Sequence, residues 1–524
     1  MDYHDGMPSI PADIPENIRA YIQQLIAAHE QERELLLEQI KLLRAQLFGR
    51  KSEQVADISS PQLPLFDEQA ATGDPAEEAY EPEVQVGTHS RRRKGRKPLP
   101  ADLPRVEVVH DVDAEAKTCA CGCEKSRIGE DVSEQLDMIP AKMRVIRHVR
   151  PKYACRQCEG VEDEGPTVVI APPPEQMIAK SIASPGLLAQ VLTAKFADAL
   201  PFYRQEGQFT RLGVEIGRGT MCGWAMQVAE RCGPLLSLMQ EEIRSGPLIN
   251  VDETTVQVLA EIGRAAKTKS YMWVFRGGAP ERPVLVFQYH PTRSGDPAAV
   301  FLRGYRGCVQ TDGYIGYDFL DHQPGVIHAG CWAHARRKFN DVLKAAGKSA
   351  KRDGIAGEAL DWIGKLYKIE ATMRKAELAP EAIHQQRQEQ VVPLLADFRQ
   401  WLLARQREVP PKSLLGKAIA YTLSQWKRLR RYVEHGLLRL DNNLAENAIR
   451  PFVVGRKNWL FSGTAQGAKA SAAIYSIIET AKANGLEPYW YLRALFERLP
   501  AAKTPEQLKA LLPQYIDRSL VVAR

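Results

Sequence analysis

The chain has 524 residues, 44% of them hydrophobic and 26% charged, with a formal net charge of +6. That length exceeds what one hydrophobic core supports and predicts roughly three or four domains, with a globular composition that leaves room for a linker. No apolar run approaches the ~20 residues of a membrane helix, and the opening MDYHDGMPSI carries no signal-peptide pattern, so a cytoplasmic protein without a membrane partner is expected.

Residues 17–48 contain neither Pro nor Gly and read as one helix within a first segment, 1–54. Ile26, His29, Arg33, Leu36, Ile40, Leu43 and Leu47 recur at alternating steps of three and four, an a/d seam with two polar interruptions. A coiled coil pairing subunits into a homo-oligomer is expected, against the alternative of a helix packed on its own domain. Residues 55–104 turn to Pro, acidic and small residues, the composition of a disordered linker. Within it Gln62–Phe66, QLPLF, resembles the peptide with which many bacterial proteins dock on the replicative sliding clamp. Arg91, Arg92, Arg93, Lys94, Arg96 and Lys97 then form a basic arm suited to phosphates and sensitive to salt.

Five of the nine cysteines crowd into the next unit, 105–165. Cys119, Cys121 and Cys123 face Cys155 and Cys158 across a spacer whose Met143–Val149 alternates like a strand, which suits a tetrahedral structural Zn2+ in a zinc ribbon. A segment of about 40 residues draws from zinc the folding energy its own small core lacks. Cys119, Cys121, Cys155 and Cys158 form one ligand set, with Cys123 as the alternative. Residues 166–245 read as helical, and Phe209–Glu230 has a helix-turn-helix pattern. Arg218 and Thr220 open its second helix, where base contacts are made.

The stretch Pro247–Leu259, PLINVDETTVQVL, brings Asp252 to the expected end of a first strand. Tyr271–Phe275 and Pro283–Tyr289 follow as strands about a Gly-rich turn at Arg276–Gly278, then a short helix, Pro297–Leu302. Gly307–Gln310 ends in Thr311-Asp312, and Val326–Ala329 is a fifth strand. Residues 340–440 read as a basic helical insertion, with apolar faces at Leu360, Ile363 and Tyr367 and at Leu394, Phe398 and Leu402. Beyond it, Asn442, Glu446 and Arg450 lie on one face of a helix in 441–467, and residues 468–524 close the chain as helices. The expected fold is thus multidomain α/β plus α: an RNase H-like catalytic core (246–339 and 441–467) interrupted by helices.

Phosphoryl transfer on DNA must activate a hydroxyl and stabilise a leaving oxygen on either side of one phosphorus. Two divalent ions about 4 Å apart do both, and Mg2+ (or Mn2+) takes oxygen ligands. Asp252, Asp312 and Glu446 supply such ligands at the positions this fold order demands.

Long strings carry a more specific signal: LRAQLFGRKSEQ (43–54), GRKPLPADLPR (95–105), IGEDVSEQLDMIPAKMRVIRHVRPKYAC (128–155), NVDETT (250–255), TDGY (311–314), HAGCWAHARRKF (328–339) and DNNLAENAIRPFVVGRKNWLFSG (441–463). With them the chain resembles the TnpC-type DDE transposases of insertion-sequence family sixty-six over nearly its whole length. The resemblance implies a Mg2+-dependent enzyme that binds terminal inverted repeats, cleaves element ends and joins them to target DNA. Its triad would be Asp252, Asp312 and Glu446. Cys331-x2-His334 matches a motif of many such enzymes and is expected to support the site rather than to hold metal. Arg336, Arg337, Lys338, Arg450, Arg456 and Lys457 are placed to meet phosphates. A first knuckle of C-x-C-x-C departs from the family's usual C-x2-C. A nucleoid-associated protein with accessory proteins of the same element follows as an expectation. The rival readings are a nuclease on the same core and an inactive DNA-binding regulator.

Overall fold

The computed structural model describes residues 15–48, 105, 107, 142–154, 168–346 and 354–522. The candidate clamp peptide at 62–66, the basic arm at 91–97 and Cys119, Cys121, Cys123, Cys155 and Cys158 lie outside them. The chain divides into two units, residues 59–149 and the remainder. Of the smaller unit, the continuous described stretch is 142–149, which is exposed and without regular secondary structure. The strand expected at Met143–Val149 is therefore not formed: alternation gives an extended chain a face but no partner to pair with.

The larger unit begins with α1 (Glu16–Phe48), a hairpin of β1 (Lys152–Ala154) and β2 (Val168–Ile170), and four helices: α2 (Pro185–Phe196), α3 (Phe202–Arg211), α4 (Arg218–Arg231) and α5 (Gly233–Ser245). Strands β3 (Leu248–Ala260), β4 (Lys269–Ala279) and β5 (Arg282–His290) precede α6 (Asp296–Phe301), β6 (Gly307–Gln310) and β7 (Val326–Ala329). Six helices follow: α7 (Trp332–Ala346), α8 (Ile355–Lys375), α9 (Pro380–Gln386), α10 (Val392–Glu408), α11 (Leu414–Ser424) and α12 (Trp426–Arg430). The chain then returns through α13 (Asn443–Trp459), β8 (Ser462–Thr464), α14 (Ala465–Ala483), α15 (Pro488–Arg498) and α16 (Pro505–Lys509).

The sheet has the order β5-β4-β3-β6-β7, with β8 added to the far end of β3. The β3–β4 and β4–β5 pairs are antiparallel, β3–β6 and β6–β7 parallel. Two expectations change here. Asp252 does not end its strand, because β3 runs on for eight more residues, paired with β4 as far as Gln257. It lies instead just past the point where β3 parts from β6, whose pairing covers only Leu248–Asn250. Arg276–Gly278 is not the turn either; β4 continues to Ala279, and a two-residue turn follows. The glycines serve close approach: a Cβ on Gly246 would lie 2.5 Å from the Gly278 carbonyl, and one on Gly277 would lie 2.9 Å from Ile243.

One apolar cluster joins β3–β5 to α2–α5, α13, α14 and α15; a second joins β6 and β7 to α7, α8 and α10–α12. The faces expected in the insertion are the ones turned inward: Ile363, Phe398 and Leu402 are buried. In the helical segment, six residues separate α3 from α4, more than the three or four of a tight helix-turn-helix. Trp224 and Val228 are buried, whereas Arg218 and Thr220 are exposed. Glu206 of α3 accepts the Arg218 backbone N–H at 3.2 Å and so occupies the start of α4.

Helix α1 lies along α7, and Glu38 accepts the Leu414 N–H at 3.1 Å. Leu35, Glu38, Leu42 and Ala45 are half-buried, whereas Leu36, Ile40, Leu43 and Leu47 of the heptad seam stay between 47% and 69% exposed. The helix thus carries two apolar stripes about one residue apart in phase, one covered within the chain and one turned to solvent.

An exposed edge strand invites pairing with another chain. Here α14 covers β5: Thr480 donates to the Leu285 carbonyl at 3.0 Å and accepts its N–H at 2.9 Å, while Ser476 accepts the Phe287 N–H at 2.8 Å. Thr480→Val keeps the shape of the side chain and removes both bonds of Leu285. It is expected to destabilise the protein by about 1–3 kcal/mol in denaturant unfolding.

Candidate active site

Three elements meet where β3 and β6 diverge. β3 carries Asp252, the turn leaving β6 carries Asp312, and the first turn of α13 carries Glu446. All three side chains are half-buried. Burial, then the negative charges of Glu253, Glu446 and Asp312, push the Asp252 carboxyl well above its ordinary pKa, against one bond from the Glu253 backbone N–H (2.9 Å). Asp312 accepts the Tyr314 N–H at 2.9 Å. Glu446 has Arg337 at 4.0 Å and His334 Nδ1 at 3.9 Å.

Glu253, next to Asp252, is already engaged. Its carboxylate accepts Nε and Nη2 of Arg293 at 2.8 and 2.6 Å and the hydroxyl of Tyr317. Alternation along a strand turns neighbours to opposite faces, which separates the roles of these two acids.

Behind the carboxylates lies a set of residues that sequence reading passed over. Asn250, Gln310 and Asn442 are each at most 1% exposed, and they bond to one another. The Asn250 amide donates to Gln310 (3.3 Å) and to Asn442 (3.1 Å), and Asn442 donates to the Val251 carbonyl (2.9 Å). Gln310 donates in turn to the carbonyls of Gly330 (3.2 Å) and Arg439 (2.6 Å). Each amide stands one structural repeat before a carboxylate: two residues before Asp252 and before Asp312, and four before Glu446 on the helix. The signal was in the strings NVD, QTD and NNLAE, where an amide precedes each acid at the period of its element.

A second network reaches Asp312 from the helical insertion. Arg428 of α12 donates to Asp321 at 2.9 and 2.5 Å and to Asp318 at 2.6 Å, and Asp321 lies 2.8 Å from Nδ1 of buried His328. His328 Nε2 lies 2.8 Å from the Thr311 hydroxyl, which also bonds the Asp312 carbonyl at 2.9 Å. Burial raises the Asp321 carboxyl, but the bonds from His328 and Arg428 outweigh it and hold the group well below the carboxylate range.

Of the residues expected to meet phosphate, Arg337 and Lys457 are exposed while Arg336 and Arg450 are half-buried, on the two helices that flank Glu446. Arg456 is otherwise occupied: its guanidinium bonds the Thr254 hydroxyl (3.1 Å) and the Thr255 carbonyl, fastening α13 to β3. Lys338 lies 4.6 Å over the Tyr421 ring. Cys331 and His334 come together with Glu446, their ligand atoms all within 4.8 Å of one another. Among the described residues no helix is long and apolar enough to cross a membrane.

Three acids clustered on a half-parallel sheet, beside helices that carry Arg336, Arg337, Arg450 and Lys457, define an acidic site with basic flanks. The comparisons narrow it. Residues 180–470 match the family described as Transposase IS66 family, residues 116–159 the zinc-finger binding domain of transposase IS66, residues 35–108 the Transposase C of IS166 homeodomain, and residues 476–514 the IS66 C-terminal element. The chain belongs to the IS66 transposase family. Two uncharacterized proteins of Sinorhizobium fredii are similar to it. One, y4jD, is 34% identical over 79% of this chain and 81% of its own length; the other, y4qI, is 31% identical over 90% and 87%.

Two outcomes follow from this geometry. An acid whose pKa is higher folded than unfolded supports folding below its unfolded pKa and loses that contribution as pH rises through the folded value. In metal-free protein, Asp252→Asn is therefore expected to raise Tm at neutral pH by about 2 °C or more, with a smaller gain in acid. Asn442→Ala leaves the Val251 carbonyl and part of the Asn250 amide unsatisfied, an expected loss of about 2 kcal/mol or more. Thermal melts with and without Mg2+ should also show that it weakens the metal-induced rise in Tm.

Proposed function

We propose that the protein is a Mg2+-dependent DDE transposase that binds the terminal inverted repeats of its element, cleaves the ends and joins them to target DNA. The observation that carries this reading is the approach of Asp252, Asp312 and Glu446 from three elements to the point where β3 and β6 diverge, where the Glu446 and Asp312 charges add to burial and to Glu253 in pushing the Asp252 carboxyl up. Like charges so arranged suit cations. The strand order, three antiparallel strands followed by two parallel ones, supports an RNase H-like core.

Asp252, Asp312 and Glu446 offer the hard oxygen donors that Mg2+ or Mn2+ takes. Bound there, such ions supply activation of the attacking hydroxyl and neutralisation of the leaving oxygen. The protein's own part is to bind and orient the strand. Arg337, beside Glu446, with Arg336, Arg450 and Lys457, meets backbone phosphates, and Arg293 keeps Glu253 neutralised next to the reacting centre. The zinc module with its Cys119, Cys121, Cys123, Cys155 and Cys158 thiols, the arm at Arg91–Lys97, and Arg218 and Thr220 of α4 recognise the repeats. The exposed Leu36-Ile40-Leu43-Leu47 stripe pairs subunits, since bringing two ends together needs at least two chains. Gln62–Phe66 offers a sliding-clamp contact, and proteins of the same element assist.

Purified protein incubated with an element-end duplex, a target plasmid and Mg2+ is expected to give joined products on a gel. Asp252→Ala, Asp312→Ala and Glu446→Ala should each lower joining by about a hundredfold or more. Joining that survives all three substitutions overturns the triad. Cutting without joining supports a nuclease instead, and tight binding with neither supports a regulator.

A further inference from the structure

Against the expectation that Cys331 and His334 only support the site, we propose that they form with Glu446 a divalent-metal position of mixed sulfur, nitrogen and oxygen donors, fitted to a borderline-soft ion such as Zn2+ or Co2+ rather than to Mg2+. Its bearing on DNA chemistry rests on the proposed function; the binding site itself does not.

The sequence sets up the first two donors. Cys331 immediately precedes α7 and His334 lies in its first turn, so a three-residue step puts both on the side of the helix that meets α13. The third comes from the first turn of α13. The three ligand atoms lie within 4.8 Å of one another.

What points to a ligand is the state of those atoms. His334 Nδ1 and Glu446 Oε1 are both buried, and neither has a hydrogen-bond partner. At 3.9 Å they face each other across a gap too wide for a hydrogen bond. Leaving two buried polar atoms unmatched is costly. Zinc–nitrogen and zinc–oxygen bonds are about 2.1 Å long, so one ion would satisfy both after the pair closes by a few tenths of an ångström.

Cys331 Sγ accepts the Asn442 backbone N–H at 3.2 Å and a second N–H from His334, contacts of the kind that orient a metal ligand. Burial first, and then the Glu446 charge, nevertheless push the free thiol up. Coordination releases the thiol proton to solvent. Three protein ligands leave a position open, as in zinc sites that also bind water or substrate. Soft and imidazole donors favour Zn2+ and Co2+ over Mg2+, so Glu446 would stand between a hard site shared with Asp252 and Asp312 and a softer one behind it.

The test is Co2+ titration of the full-length protein purified with its zinc, followed by visible and near-ultraviolet absorption. One further equivalent of Co2+ is expected, with a sulfur-to-cobalt charge-transfer band that millimolar Mg2+ does not remove. Cys331→Ser should abolish the band while leaving the zinc-module cysteines unchanged, and His334→Gln should weaken Co2+ binding about tenfold or more. Because Cys331 is buried and its serine variant can misfold, His334→Gln is read alongside it, with its metal-free Tm as the control for folding. The proposal is overturned if Cys331→Ser retains the full band, or if His334→Gln binds Co2+ as tightly as the parent. Cobalt binding as expected in a protein that joins no DNA removes the transposase reading and leaves the metal position standing. Joining in Mg2+ with no cobalt band does the reverse.

Discussion

The buried amide cluster of Asn250, Gln310 and Asn442 is the constraint on which the candidate site depends. The residues that carry the carboxylates come from distant parts of the chain: 192 residues separate Asn250 from Asn442, and their hydrogen bond spans that gap at 3.1 Å. Bringing three acids together is unfavourable, and the Glu446 and Asp312 charges add to burial and to Glu253 in pushing the Asp252 carboxyl up. Neutral amides one repeat behind each acid supply directional bonds without adding charge. Buried and cross-linked, they favour one relative placement of β3, the β6 exit and α13 over nearby alternatives. Apolar residues there would pack as densely but would leave strand and helix free to slide.

The helical insertion contributes to this placement. Arg428 reaches back from α12 to Asp318 and Asp321, and through His328 and Thr311 the contact arrives at the residue before Asp312. Its main chain also serves the strand edge, since the Arg428 carbonyl accepts the Gly330 N–H at 3.0 Å. On the opposite side α14 closes the β5 edge through Ser476 and Thr480. Both edges of the sheet thus meet helices, β5 through hydrogen bonds along the strand and β7 through apolar contact and a bond just past its end, which hinders pairing with a second sheet. An insertion about a hundred residues long belongs to the core rather than hanging from it.

Much of this was legible in the sequence. Gly307–Gln310 and Val326–Ala329 fall where β-forming residues between Gly and polar breaks predicted them, and α1 and α14 begin within three residues of their expected starts. The misses have physical causes. Asp252 looked like the end of a strand because the apolar β-formers Leu248, Ile249 and Val251 lead up to it, yet β4 pairs with the chain on to Gln257, and tertiary pairing overrides local composition. Gly277 and Gly278 looked like a turn, but Gly277 stands where a Cβ would lie 2.9 Å from Ile243 of α5, and Gly278 takes a φ of +86° that favours glycine. The amide cluster, the Arg428 relay and the Glu253–Arg293 pair depend on contacts between residues 40 to 192 positions apart, which periodicity within a segment cannot report. Arg456 was misjudged for the same reason: a basic residue near a site reads as a phosphate contact until β3 is seen to hold it.

Helix α1 packs on its own chain and still leaves its heptad seam uncovered. A heptad seam and a stripe one residue out of phase lie about 100° apart around a helix, so covering one does not cover the other. Leu35, Glu38, Leu42 and Ala45 meet the body of the protein, and this anchors the helix in a fixed direction along α7. The seam residues Leu36, Ile40, Leu43 and Leu47 are thereby held outward as a row. A partner helix seated on that row would lie against an element directly packed on α7, the helix that carries His334 and Arg337. Self-association and the geometry around Glu446 would then act through the same helix, with no flexible linker between them.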